Sequence, residues 1–110
     1  MGRRRRAKAD GLVVILWRDI PAQITASIGG TAGKALLEPR FQHAIDRAAA
    51  VADLTETSAY VAQWRRVEEP IAASGAAVDA AAMARATELQ DDFPRERLEA
   101  FVANGGLDPD

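Results

Sequence analysis

Positions 11–17, Gly-Leu-Val-Val-Ile-Leu-Trp, form an unbroken apolar run, β-branched at its centre and closed by the charged pair Arg18-Asp19. A run too short for an ordinary helix, and apolar at odd and even positions alike, predicts a strand covered on both faces. Such a strand belongs in the middle of its sheet. Pro21 ends it, because proline donates no ladder hydrogen bond and holds Ile20 extended. From 22 to 28 the pattern alternates, with Ile24, Ala26 and Ile28 against Gln23, Thr25 and Ser27, as in a half-buried strand. Gly29-Gly30 supplies the positive φ angles of a tight hairpin, and 32–37 returns as the partner strand. The first third is thus predicted to be a small three-stranded, mainly antiparallel sheet over about 11–17, 22–28 and 32–37.

The period then changes. Pro39 suits a first helical turn, where its missing N–H would have been unpaired anyway. Phe41, Ala44, Ile45, Ala48, Ala49 and Ala52 follow at 3.6-residue spacing. Asp53 or Thr55 is placed to cap a second helix, whose apolar stripe is Tyr60, Val61, Trp64 and Val67 and which Glu68-Glu69-Pro70 stops. After a linker at 71–75, an alanine-rich helix is expected over about 76–92, with Val78, Ala82, Leu89 and Phe93 facing inward. A short last helix carries Leu98, Phe101 and Val102, and Asn104-Gly105-Gly106 caps it. Strands first and helices afterwards define an α+β fold, with about four helices packed on one sheet face. Alanine buries little surface, so stability is expected to rest on Trp17, Phe41, Ile45, Tyr60, Trp64 and Leu89.

Length and charge refine this picture. The 110 residues, 48% hydrophobic, suit one domain, expected over 11–104. The net charge of −2 hides an asymmetry: Arg3, Arg4, Arg5, Arg6 and Lys8 precede the first strand, and without them the rest carries about −7. Residues 1–10 read as a disordered basic tail and 105–110 as a frayed acidic one. An acidic body argues against a broad phosphate-binding face, which leaves nucleic-acid contact to the tail arginines. The run at 12–17 is short for a signal peptide and is followed by Trp17-Arg18-Asp19 where small cleavage-site residues belong. No stretch approaches the ~20 apolar residues of a membrane span. The expected location is therefore cytoplasmic, with no membrane partner.

Candidate chemistry is sparse. With no cysteine and a single histidine, the chain offers no thiolate nucleophile and no Cys- or His-rich metal site, so neither a metal nor a cofactor is expected. Gly29-Gly30-Thr31-Ala32-Gly33-Lys34-Ala35 imitates a phosphate loop but has Ile28 where its first glycine belongs and Ala35 where Ser or Thr must reach Mg²⁺. His43 lies opposite its helix's apolar stripe, near Asp46 and Arg47, with no nucleophile indicated beside it. Glu68-Glu69 and Asp91-Asp92 are adjacent pairs that cannot converge on one reacting atom. No catalytic residue is assigned. At Trp17-Arg18-Asp19-Ile20-Pro21-Ala22-Gln23, an aromatic ring, a guanidinium and a carboxylate meet at a rigid bend. Arg18 there either clamps a carboxylate or phosphate bidentately or pairs locally with Asp19. Trp64-Arg65-Arg66 repeats the chemistry. The expected recognition set is Arg18, Asp19 and Gln23, with Arg40, Arg47, Arg65 and Arg66 available to an anionic partner.

Three segments in order resemble the small bacterial virulence factor domain family: Trp17-Arg18-Asp19-Ile20-Pro21-Ala22-Gln23-Ile24, Arg40-Phe41-Gln42-His43-Ala44-Ile45-Asp46-Arg47-Ala48-Ala49 and Ser58-Ala59-Tyr60-Val61-Ala62-Gln63-Trp64-Arg65-Arg66. The resemblance covers about residues 12–70, with Arg-Asp-Ile-Pro-Ala-Gln its most specific part. It implies an accessory or adaptor module that binds a protein partner or small anionic ligand without catalysis. An alternative it implies is an accessory subunit or enzyme component in one-carbon or methyl-transfer metabolism. A third reading is non-specific nucleic-acid binding through Arg3, Arg4, Arg5 and Arg6. The exposed side of the sheet also offers a surface for homodimer formation.

Overall fold

A computed structural model describes residues 10–71 and 77–110. Three strands open the chain: β1 (Gly11–Trp17), β2 (Ile20–Ile28) and β3 (Thr31–Leu36). They pair antiparallel as consecutive hairpins. Gly29 and Gly30 adopt φ of 57° and 83° in the second hairpin turn, which disposes of the phosphate-loop imitation and satisfies the twist of the flanking strands. β2 begins at Ile20, earlier than expected, and contains Pro21. The register explains this: Ile15 faces Gln23 and Leu16 faces Pro21, so Ala22 is an extra residue bulged out of the ladder. A bulge is the setting in which an interior strand accommodates a proline.

The sheet has four strands, not three, in the order β3-β2-β1-β4. β4 (Trp64–Glu69) pairs antiparallel with β1, Val14 opposite Val67 and Trp17 opposite Trp64. The helix expected to reach Val67 therefore stops early: α2 spans only Thr57–Val61. The Tyr60, Val61, Trp64, Val67 stripe fits a helix, but β1 has a stronger requirement. In a meander of three hairpin-linked strands β1 would lie at an edge, with a row of backbone groups unpaired beside an apolar run. β4 supplies those hydrogen bonds, and tertiary demand overrides local period.

The helices follow their apolar spacing. α1 (Pro39–Val51) begins on its proline and buries Phe41, Ala44, Ile45, Ala48 and Ala49. Asp53 ends it at φ 60°, and Glu56, rather than Asp53 or Thr55, caps α2 by accepting the Ala59 N–H. The Ser58 hydroxyl, and after it that contact, hold the Glu56 pKa below its ordinary value. α3 (Val78–Asp92) packs across β2 and β3, and α1 packs on α4 (Arg95–Ala103). Gly33 on β3 has no side chain to obstruct Val78 and Asp79 in the first turn of α3. After α4, Gly105 N–H bonds to Val102 O and Gly106 N–H to Phe101 O, the paired bonds of a Schellman cap.

The core lies between α3, α1, α4 and one sheet face, where Leu12, Val14, Ile24, Ala26 and Ala35 point. Trp17, Phe41, Ile20, Ile24 and Ile45 are its largest fully buried apolar side chains. Tyr60 and Trp64, expected among the main anchors, pack only partly buried at its margin. Among the described residues no helix is long and apolar enough to cross a membrane.

Candidate functional site

The Arg18-Asp19 connection between β1 and β2 is a junction of three chain segments. Arg18 holds φ 53°, a left-handed conformation uncommon for a residue with a side chain. Its backbone and side chain make bonds to several distant segments. Its N–H donates to Gln63 O at 3.0 Å, its Nε to Gln63 Oε1 at 3.0 Å, and a terminal nitrogen to Gly105 O at 3.1 Å. Its carbonyl accepts from Arg65 Nε at 2.6 Å. The Asp19 N–H donates to Gly106 O at 2.8 Å, while its carboxylate accepts from Arg65 at 2.7 Å and from the Asp108 N–H at 2.7 Å. Below, the Trp17 indole N–H donates to Tyr60 O at 2.8 Å and the ring stacks on Tyr60. Arg18 and Asp19 thus tie the first hairpin to the segment before β4 and to the turn after α4.

The remaining arginines of the expected set divide. Arg40 pairs with Glu38 at 2.8 Å, donates to Gln90 O at 3.0 Å and to Phe93 O, and lies over the Phe41 ring. It fastens the start of α1 to the carbonyl end of α3, where positive charge is favoured. Arg47 grips Glu99 of α4 through two bonds of 2.7 and 2.6 Å. Those bonds raise the Arg47 pKa and hold the Glu99 carboxyl below its ordinary value. Arg65 is committed to the junction. Gln23 and Arg66 are placed otherwise: they flank Ile15 in one cross-sheet row. Arg3, Arg4, Arg5 and Arg6 lie outside the described residues.

That row belongs to the sheet face turned away from the core. By strand alternation it carries Val13 and Ile15 of β1, Gln23 and Thr25 of β2, Lys34 and Leu36 of β3, and Trp64, Arg66 and Glu68 of β4, and at its Trp17–Trp64 end Tyr60 of α2 packs against both indoles. Lys34, Leu36, Arg66 and Glu68 are exposed, Leu36 to 68%, and the other five are partly buried. A depression of ≈ 590 Å³ opens on this face between Ile15, Gln23, Leu36, Gln42 and Trp64. The sequence pointed to Gln23 and Arg66 but not to the surface they share. Its strand alternation was visible at Gln23 and Thr25; the β4 half was hidden by the helical reading of 64–67.

On chemistry, His43 is exposed on α1. Glu69 accepts two bonds from Arg85, at 2.8 and 2.9 Å, which raise the Arg85 pKa. Among the described residues no group of three or more His, Asp or Glu is placed to hold a metal ion. The hydrogen bonds of the junction brace the first hairpin against the segment before β4 and the turn after α4. Replacing Arg65 by alanine is expected to cost about 0.5–1.5 kcal/mol, since it removes hydrogen bonds from two half-exposed groups. A double-mutant cycle with Asp19→Ala, measured by urea unfolding, should return a coupling of roughly 0.5–1 kcal/mol that shrinks in high salt. Additive losses would mean the two side chains act independently.

An α+β protein with an antiparallel four-stranded sheet and four helices among its described residues is the class this geometry defines. The model of the virulence factor family matches residues 15–102, and the chain belongs to that family. The match continues past Pro70 through α3 and into α4, so the family's unit includes the helices that close the core. No curated protein and no solved structure matches the chain.

Proposed function

We propose that this virulence factor family chain is a non-catalytic module that binds a protein partner through the open face of its sheet. The observation that carries the reading is the lining of that face, where Ile15, Leu36 and Trp64 border a depression beside Gln23 and Arg66. Exposed apolar side chains flanked by an aromatic ring and an arginine are the composition of interface anchors. A small anionic ligand is disfavoured by the distribution of positive charge. Arg18, Arg40, Arg47 and Arg65 already hold internal acceptors. Lys34 and Arg66 stand on strands at opposite edges of the sheet, and the depression they both line also carries Asp10, Glu68 and Glu69, whose carboxylates oppose an anion there.

Photo-crosslinking in cells tests this. A photoreactive phenylalanine in place of Leu36 is expected to give a discrete protein adduct that Arg66→Glu abolishes. The same residue in place of Met83, exposed on α3, is expected to give none. Equal labelling at the two positions, or none at Leu36, would overturn the proposal.

A further inference from the structure

We infer that the partner on the open face is a second copy of this chain, related by a two-fold axis running along the strands between β1 and β2. The inference rests on the reading of that face as a protein-binding surface and names what binds there. Two cross-sheet rows carry it. In the first, Lys34 of β3, Thr25 of β2, Val13 of β1 and Glu68 of β4 are neighbours in register. In the second, Leu36, Gln23, Ile15 and Arg66 follow the same order. Positive charge thus stands at one end of the first row and negative charge at the other. Among the described residues neither Lys34 nor Glu68 has an ion-pair partner.

The charge order selects the symmetry. A homodimer of this kind uses the same patch twice, so each position must meet its complement under a two-fold rotation. An axis along the strands exchanges the two edges of the sheet while keeping each row at its own height. Lys34 of each copy then faces Glu68 of the other, with Val13 over Thr25 between them. In the second row the aliphatic stem of Arg66 covers Leu36 of the opposing copy, and Ile15 meets Gln23. An axis lying across the strands along the first row would instead set Lys34 on Lys34 and Glu68 on Glu68, a repulsive arrangement. Two sheets stacked in the first way form the aligned packing of a β-sandwich, closed by symmetry so that no unpaired copy of the face is left over.

The surface available is modest. Four strands at ~4.8 Å and about six residues at ~3.3 Å give roughly 400 Å² per copy before side-chain relief. The roughly 800 Å² buried by the two copies together lies below the ≈ 1,200–2,000 Å² of stable interfaces, so the dimer should be weak and concentration-dependent.

Lys34 makes the test selective, because the only other lysine in the chain is Lys8. An equal mixture of unlabelled and ¹⁵N-labelled protein is treated with a carbodiimide, which condenses an amine with a carboxylate in direct contact. The expected product is an amide between Lys34 and Glu68 with one partner from each isotope pool, its yield rising with protein concentration. Sedimentation from roughly 1 µM to roughly 1 mM should show a monomer–dimer equilibrium. Lys34→Glu should weaken it at least tenfold, and Lys34→Glu combined with Glu68→Lys should restore it, each variant keeping the native circular dichroism spectrum. A monomer throughout, a dimer lacking the mixed-isotope link, or a charge reversal without effect would overturn the inference. If the chain stays monomeric while Leu36 crosslinks to a different protein, this inference fails and the reading of the face stands. If a dimer forms without the link and Leu36 yields no adduct, both fail.

Discussion

Replacing Trp17 by alanine is expected to cost about 3–5 kcal/mol, the range for removing a fully buried aromatic side chain. The residue is 0% exposed, and its ring is held from several sides. It stacks on Tyr60 with centroids 5.5 Å apart, and the Gly106 backbone lies against its six-membered edge. Its indole N–H satisfies the Tyr60 carbonyl at 2.8 Å. Alanine would leave a cavity where β1, α2 and the turn after α4 meet, and would remove the shorter of the two hydrogen bonds to that carbonyl, which keeps the Gln63 N–H at 3.2 Å. A domain of ordinary stability holds only about 5–15 kcal/mol, so this one change should remove a large fraction of it. Trp17→Phe separates the two contributions: it keeps much of the packing but loses the donor, and should fall between wild type and alanine. Urea unfolding followed by circular dichroism reads both. A loss below about 1 kcal/mol for alanine, the scale of a surface substitution, would show that the junction does not depend on the indole.

The same residues show what local pattern reveals and what it conceals. The glycine hairpin at Gly29-Gly30, the proline start of α1 and the glycine cap after α4 were all legible, because each is decided by backbone chemistry within a few residues. The α+β class and the central position of β1 were legible from the run at 11–17. β4 was not, since Trp64 and Val67 satisfy a helical stripe and a strand equally well over so short a segment. One inconsistency pointed to it: a β1 both central and first in a three-strand meander needs a neighbour from elsewhere in the chain. The Arg18-Asp19 corner was legible as a concentration of chemistry and illegible as a junction. Its acceptors and donors are supplied by Gln63, Gly105 and Asp108, at sequence separations of 45, 87 and 89 residues. No local pattern encodes contacts of that range. The Arg-Asp-Ile-Pro-Ala-Gln stretch thus combines two devices in six residues: a turn braced by the far end of the chain, and a bulge at Ala22 that lets Pro21 stay in the ladder. Gln23, the next residue, is where the stretch emerges onto the open face.

Gly106→Ala should be disproportionately damaging for the addition of one methyl group. At φ 93° the backbone is in a region that glycine enters freely and alanine does not. An added Cβ would also stand 2.8 Å from Trp17 Cζ3 and 3.1 Å from Cε3. The indole has little room to yield, because its other face is stacked on Tyr60 and its N–H is tied to the Tyr60 carbonyl. Backbone strain of about 1–2 kcal/mol and overpacking of about 1–3 kcal/mol both act, and a combined loss of roughly 2–5 kcal/mol is expected. Gly29→Ala is the control. Its φ is also positive, at 57°, yet nothing lies within 4 Å of an added Cβ, so only the backbone share should be lost. The excess at Gly106 over Gly29 therefore combines the contact with Trp17 and the greater strain of φ 93° over 57°. That excess should shrink in a Trp17→Phe background, where the smaller ring leaves space for the methyl group. Equal losses at the two glycines, with no dependence on residue 17, would mean that the turn after α4 does not press on the indole and that the C-terminal brace of the first hairpin is weaker than its geometry implies.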